Sequence, residues 1–376
     1  MAAAVDVAPA HQSHASSSSL ELEDATEHTH DSPAWSVQML VEKGVKDVPS
    51  RYVRHSSLHS DLPVIEDYSV ELPVIDYGKM QGEHGDEETA KFFKALDDWG
   101  FLQLVNHGLT EGLIDRTLDV ARNFFQLPVS EKQKYFAPDP NVPVEGYARI
   151  NIVDGLMDWG DTMMMNGDVL VLCKDKTDCS DWNHLPEMFR DTMATYARET
   201  HTLGLKMMKL MGDAIGMADV EETGGPQGLQ LAFNFYPPCP QPELVLGISA
   251  HTDPQTFSFL IQDQPGLHVL NNGRWVLARP IPDALIVNIG DQLEILSNGK
   301  YKSIMHRVRV SSEYKRFIVG SFLRPSLDAV IGPDPKIIDD EHPSLYKPIK
   351  YGDYMGDGID YGFLEKRIVN KVMIQA

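Results

Sequence analysis

The sequence predicts a mainly β fold with flanking α-helices, and three observations predict it. From Leu229 onward the chain breaks into short β runs at 229–236, 246–251, 257–262, 267–270, 275–278, 284–289, 306–311 and 316–323, punctuated by Gly, Pro and Asn. Many short strands with turns at such spacing suggest a β-sandwich or barrel. Ahead of them lie helical patterns, above all a stretch at about 186–216 whose apolar residues recur every three or four positions. No internal repeat is found.

Taken in order, residues 1–34 read as a disordered acidic, Ser-rich tail. They hold Ser16 to Ser19 in a row and six acids, with no Lys or Arg before Lys43, too little apolar surface to offset the entropy of ordering. Neither a secretory signal nor a transit peptide fits that composition. His11, His14, His28 and His30 read more plainly as solvated histidines than as a metal tract. Residues 35–225 read as a mainly helical part packing on the sheet. A helix at 35–45 is broken by Val48-Pro49-Ser50-Arg51-Tyr52, and Leu72 to Asp76 forms a strand. Helices at about 87–99 and 110–127 flank the strand-like Phe101 to Val105. Residues 226–330 form the β core, with tight turns at Asn271-Asn272-Gly273 and Ser297-Asn298-Gly299. Residues 331–376 form a C-terminal helical segment. The helical front carries no motif set of its own, so one catalytic domain is expected.

Composition narrows the function classes. The chain has 376 residues, 42% of them hydrophobic, and a formal net charge of −22. That charge argues against nucleic acid and against an anionic membrane surface as partners. Three cysteines, Cys173, Cys179 and Cys239, exclude a disulfide-stapled fold and fit a reducing, cytoplasmic setting. No run approaches the ~18 apolar residues of a membrane span. A G-x-S-x-G elbow, a P-loop and G-x-G-x-x-G are all absent, and no Cys pair has zinc-finger spacing. Oligomeric state is not legible.

The histidines and carboxylates remain. His251-Thr252-Asp253 ends a β run, and His306 follows 53 residues after Asp253. Residues two apart on a strand point the same way, so His251 and Asp253 can offer a nitrogen and an oxygen to one ion. A third ligand from a distant strand completes two histidines and a carboxylate on one face of an octahedron, leaving the opposite face open as non-haem Fe(II) requires. Alone, His-x-Asp is as ordinary as His59-Ser60-Asp61, which sits in a polar linker. Arg316 opens a β run ten residues beyond His306, where a guanidinium can bind a carboxylate bidentately or form a plain ion pair. Asn234 and Tyr236 share one strand face, and a core tyrosine with a satisfied hydroxyl is the simpler reading of the latter.

These motifs occur together and in order: Asn234-Phe-Tyr-Pro-Pro-Cys-Pro-Gln-Pro, His251-Thr-Asp, Asn288-Ile-Gly-Asp-Gln-Leu-Glu-Ile-Leu-Ser-Asn-Gly-Lys-Tyr-Lys-Ser, and His306-Arg-Val. The front half adds Leu72-Pro-Val-Ile-Asp, Trp99-Gly-Phe-Leu-Gln-Leu-Val-Asn-His-Gly and Glu145-Gly-Tyr147. Over about residues 36–355 the chain resembles the plant Fe(II)- and 2-oxoglutarate-dependent dioxygenases. The resemblance implies a distorted double-stranded β-helix, or jelly roll. It implies that His251, Asp253 and His306 hold Fe(II), that Arg316 and Tyr236 hold the distal carboxylate of 2-oxoglutarate, and that Asn234 lines the co-substrate. With O2 as second co-substrate and ascorbate as reductant, it implies hydroxylation or O- or N-demethylation of a small, largely apolar or aromatic plant metabolite, releasing succinate and CO2.

One departure stands out: the family usually reads Arg-x-Ser, and this chain reads Arg316-Phe317-Ile318. Ser321 lies at odd spacing from Arg316 and turns to the opposite face. Weakened 2-oxoglutarate affinity is expected, and Ile318 also invites the alternative of a catalytically impaired, 2-oxoglutarate-binding relative. A zinc hydrolase on the same ligands would leave Arg316 and Tyr236 without a role. Ten of sixteen methionines lie between Met157 and Met217. They read as core fillers, with Met163 or Met165 as candidate pocket residues beside Phe322, Tyr351 and Tyr354. His107 and Asp291 read as structural, the latter as a turn former after Gly290.

Overall fold

A computed structural model describes residues 36–54, 64–65, 70–83, 85–135, 146–149, 152–153, 156–168, 187–217, 228–361 and 367–374. The tail at 1–34 and the His59-Ser60-Asp61 sequence lie outside them.

Two sheets face one another. The larger has eight strands in the order Val74–Asp76, Phe101–Val105, Leu285–Ile289, Phe257–Gln262, Arg316–Arg324, Gly228–Tyr236, Asp161–Asn166 and Gly146–Arg149. The smaller has five, in the order Val64–Ile65, Arg274–Leu277, Leu267–Asn271, His306–Val308 and Ile248–His251. Strands that neighbour in space but not in sequence make this the jelly roll that the resemblance implied. The strands expected at 72–76 and 101–105 are joined in the large sheet by 146–149 and 161–166, the first of which is too short to carry an alternation that could be read from sequence.

Every residue of strand 228–236 is buried, and the register shows why. Leu229, Leu231, Phe233 and Phe235 face the helices Leu113–Gln126 and Glu187–Ile215, where Phe235 lies 5.1 Å from Phe125 and Phe233 lies 6.0 Å from Phe189, ring to ring. Gln230, Ala232, Asn234 and Tyr236 face the other way, into the space between the sheets. There Tyr236, Leu260, Ile286 and Ile318 meet Leu267, Val269 and Val308 of the small sheet. With apolar layers on both faces, the strand has no wet side and no polar alternation.

Two turns behave differently. Asn272 and Gly273 have φ of 49° and 73° and join Asn271 to Arg274 in a two-residue hairpin, the positive-φ pair that such a turn requires. Asn298 and Gly299 also have positive φ, but they end a six-residue helix, Asp291–Leu296, too short for its period to be legible. At the front, Asp161 is buried and caps the helix Val37–Glu42. It accepts bonds from Ser36 Oγ at 2.6 Å, Val37 N at 2.8 Å and Tyr147 Oη at 3.1 Å, where the first-turn amides of a helix want an anion. No described helix is long and apolar enough to cross a membrane.

Candidate active site

His251 ends one strand of the small sheet and His306 begins its neighbour, and the two stand directly opposite in the antiparallel pairing. Their rings lie 4.2 Å apart. Each Nδ1 bonds the carbonyl two residues upstream, Ser249 O at 2.9 Å and Ile304 O at 3.2 Å. A carbonyl only accepts, so Nδ1 carries the proton and Nε2 is left with its lone pair. Asp253 Oδ1 lies 3.5 Å from His251 Nε2 and 3.4 Å from His306 Nε2. The three ligand atoms fall within 4.8 Å of one another, the one such group among the described residues.

The other carboxylate oxygen is already engaged. Asp253 Oδ2 accepts from Ser258 Oγ and, at 2.8 Å, from Asn288 Nδ2. The carboxylate is therefore steered to present one oxygen to an ion, not two. Burial alone would raise the Asp253 pKa, but the positive charge of His306 and His251 when protonated outweighs it and holds the group well below the usual carboxylate range, and a divalent cation between neutral histidines acts with the same sign. Two neutral imidazoles and one carboxylate oxygen suit Fe(II) and leave positions open for co-substrate and O2.

Asp291 is no turn former. It is the first residue of the helix 291–296, fully buried, and its N–H donates to Asp253 O at 2.8 Å. Its Oδ2 accepts from Tyr354 Oη at 2.6 Å and Thr252 Oγ1 at 3.2 Å. Burial pushes its pKa up to about 6. A Cβ on the preceding Gly290 would fall 2.0 Å from Gln255 O, so glycine is what allows this helix to lie against the metal-side turn.

Along the inward face of the large sheet, Arg316 stands opposite Tyr236, Ile318 opposite Asn234, Gly320 opposite Ala232 and Phe322 opposite Gln230. Arg316 is 2% exposed. Its Nε donates to Gln264 O at 2.8 Å and its Nη2 to Gln262 Oε1 at 2.6 Å. The guanidinium carbon sits 5.4 Å from the Tyr236 ring centroid. Its Nη1 and the Tyr236 hydroxyl are buried without a hydrogen-bond partner, an arrangement expensive to leave unmade. A ligand carboxylate satisfies both at once. Burial pulls the Arg316 pKa down to about 10, still cationic at neutral pH, and pushes Tyr236 above its usual range so that it remains a neutral donor. Asn234 Oδ1 accepts from Thr162 Oγ1 at 2.7 Å. Where the family carries serine, Ile318 contributes a buried apolar side chain. Ser321 points to the helices and shares a 2.8 Å hydrogen bond with Thr200.

Residues 227–325 match the 2OG-Fe(II) oxygenase superfamily, and residues 72–187 match the N-terminal region described as non-haem dioxygenase in morphine synthesis. Jasmonate-induced oxygenase 4 of Arabidopsis thaliana is 37% identical over 86% of this chain and 92% of its own. Flavanone 3-dioxygenase 2 of Oryza sativa subsp. japonica is 35% identical over 84% and 91%. The chain belongs to the 2OG-Fe(II) oxygenase superfamily. Among solved structures, that of JOX2 in complex with 2OG, Fe and JA superposes with a TM-score of 0.78 at 31% identity, covering 90% of this chain and 98% of that one. The protein is a plant-type 2-oxoglutarate-dependent dioxygenase whose cofactor is Fe(II) and whose co-substrate is 2-oxoglutarate.

Within this oxygenase the candidate pocket residues separate. Met163 and Met165 are not on the cavity side. They stand opposite Phe233 and Leu231 and are buried in the helix-facing core. Met164, opposite Ala232, faces inward, 3.8 Å from Gln230 Nε2. Phe322 is inward as expected, and its ring lies over Gly320, where a Cβ would come within 2.5 Å of a ring carbon. Tyr354 is a core residue held by Asp291. Tyr351 is equally buried, but its hydroxyl has no partner among the described residues, and it lies within electrostatic reach of Arg324, Asp291 and Asp253. His107 is structural, with Nε2 on Asp283 O at 3.1 Å. Sequence reasoning missed Ser258 and Asn288 as partners of Asp253, although Asn288 is the single polar residue of its buried strand and Ser258 the one polar residue in the fully buried part of its own.

Replacing Asn288 by Ala releases one of the two bonds on Asp253 Oδ2. Metal affinity should fall about tenfold, measured by anaerobic titration with Fe(II) or Co(II). Wild-type affinity would show that the amide does not orient the carboxylate.

Proposed function

We propose that this dioxygenase oxidises a small, largely apolar or aromatic plant metabolite by hydroxylation or by O- or N-demethylation, releasing succinate and CO2. In this reading His251, Asp253 and His306 hold the iron, Arg316 and Tyr236 grip the distal carboxylate of 2-oxoglutarate, and Asn234 lines its path. The observation that carries it is the pair of buried, unpartnered groups, Arg316 Nη1 and the Tyr236 hydroxyl, on the face that the large sheet turns toward the small sheet, which carries His251 and His306. When bound, iron and 2-oxoglutarate supply oxygen activation, the decarboxylation of the co-substrate providing the oxidant for a C–H bond.

The chain's own residues bind, orient and keep water out. Ser258 and Asn288 hold Asp253 to one presented oxygen, and Leu260, Ile286 and Ile318 wall the co-substrate end in apolar surface. Toward the mouth, Phe322 and Met164 with the small Ala232 and Gly320 suit an apolar or flat aromatic ligand. The Tyr351 hydroxyl offers that ligand one hydrogen bond. Arg324, the other cation on this face, is paired with Asp168 at 2.6 Å, which favours an uncharged substrate. Ascorbate fits as the reductant that restores Fe(II), and the acidic, cysteine-poor composition supports a cytoplasmic setting.

Anaerobically purified, Fe(II)-loaded protein mixed with O2, 2-oxoglutarate and a panel of neutral aromatic metabolites should form succinate, accelerated by the true substrate. Bound 2-oxoglutarate without succinate under any condition would point instead to the non-catalytic relative that Ile318 invites.

Ile318→Ser restores a hydroxyl beside Arg316. The apparent affinity for 2-oxoglutarate should rise about tenfold, the worth of one added bond to a charged group. Unchanged or weaker binding would show that the Gln262 amide already does the serine's work.

A further inference from the structure

Asp158 lies just before strand 161–166 and is 1% exposed. Its Oδ1 accepts from Arg54 Nη2 at 2.6 Å and from Ser249 Oγ at 2.8 Å, and its Oδ2 accepts from Ser249 N at 3.2 Å. Ser249 is two residues before His251, and its carbonyl is the acceptor of the His251 Nδ1 proton. Four residues from three distant parts of the chain, Arg54, Asp158 and the strand residues Ser249 and His251, thus form one line of contacts ending at an imidazole. Arg54 is itself tethered, its N–H donating to Leu244 O at 2.8 Å.

Strand Ile248–His251 is the edge of the five-stranded sheet. It pairs on one side only, with strand 306–308, and the register shifts between His306 and Val308. An edge strand that short is poorly specified by its ladder alone. On its open side the Asp158 carboxylate takes the place of a neighbouring strand, binding the Ser249 N–H that a ladder would otherwise use. Burial pushes the Asp158 pKa up, and the Arg54 guanidinium opposes that rise. Arg54 lies outside both matched family regions.

We infer that Asp158 and Arg54 are positioning residues for His251: the buried pair fixes the edge strand, the strand fixes the Ser249 carbonyl, and the carbonyl aims Nε2 at the metal. Arg54, at the end of the N-terminal segment 36–54, thereby tunes metal affinity without touching the metal. This rests on His251 being an iron ligand.

Co(II) is the probe, titrated anaerobically into the full chain and followed by its visible ligand-field absorption. Asp158→Asn and Arg54→Met should each weaken Co(II) binding about three- to tenfold and alter the band shape, as outer partners of a ligand histidine do. The double variant should lose no more than the worse single one, because both act through one contact. Asp161→Asn is the control. It loosens the capped helix at 37–42 and should lower the melting temperature while leaving Co(II) affinity within about twofold, since its bonds do not lead to a ligand. Wild-type affinity and spectrum in Asp158→Asn, or an equal loss in Asp161→Asn, would overturn the inference. If Asp158→Asn does not fold, Ser249→Ala decides: about threefold weaker binding supports the relay, and unchanged binding overturns it. Asp253→Ala, run alongside, must abolish binding; if it does not, the ligand assignment has failed rather than the relay.

Discussion

Asp253 is a carboxylate removed from water, and the barrel is arranged around keeping it charged with one oxygen unspent. A buried carboxylate without partners would take up a proton. Here Ser258 and Asn288 engage Oδ2 from two strands of the large sheet, while His251 and His306 approach Oδ1 from two strands of the small one. The large sheet thus holds one carboxylate oxygen by hydrogen bonds, and the small sheet sets two ring nitrogens around the other, where a cation joins them. This ties the packing of the sandwich to the geometry of the ligand cluster: the sheets cannot slide without parting the carboxylate from the histidines.

The same logic runs along the cavity. At its far end Arg316 is a buried cation supported by two acceptors and an aromatic face, with one nitrogen unspent. On the same inward face lie the apolar side chains of Leu260, Ile286 and Ile318. A dianion with one carboxylate for the metal and one for the guanidinium fits this polarity, whereas a neutral molecule of the same length would leave Arg316 and Tyr236 unpaired. The helices on the outer face make this possible by burying the back of the same strands, so the inward residues are held by a rigid layer and not by a solvent-facing sheet.

How much of this was legible follows from parity and from range. Alternation along a strand places Arg316 with Phe322 and Ser321 on the opposite face, because period two is a local property; strand 248–251 ends at His251, and Asp253 meets it from the residues that follow. Parity also separates Met164 from Met163 and Met165, but it does not say which side is the cavity. That depends on pairing with Phe233 and Ala232, some seventy positions away. The helix 291–296 is shorter than two turns, so Asp291 resembled a turn residue. Asp158 had no local signal either, since its partners Arg54 and Ser249 are brought to it only by the fold. Asn288 and Asp158 reach their partners across 35 and 91 positions, which a single sequence does not display, while Ser258 is only five residues from Asp253 and meets it because the chain turns between strands 248–251 and 257–262.

The central claim is that the His-Asp-His cluster and Arg316 form the two ends of one ligand site. Anaerobic titration of Fe(II)-loaded protein with 2-oxoglutarate, followed by the visible charge-transfer absorption of a chelated 2-oxo acid, tests it most directly. The account predicts one band that saturates at one 2-oxoglutarate per iron. The band should vanish in Asp253→Ala and, in Arg316→Met, require about a hundredfold more 2-oxoglutarate, the loss expected for a buried charge-paired hydrogen bond. No band in the loaded wild type, or an Arg316→Met titration that overlays it, would contradict the account.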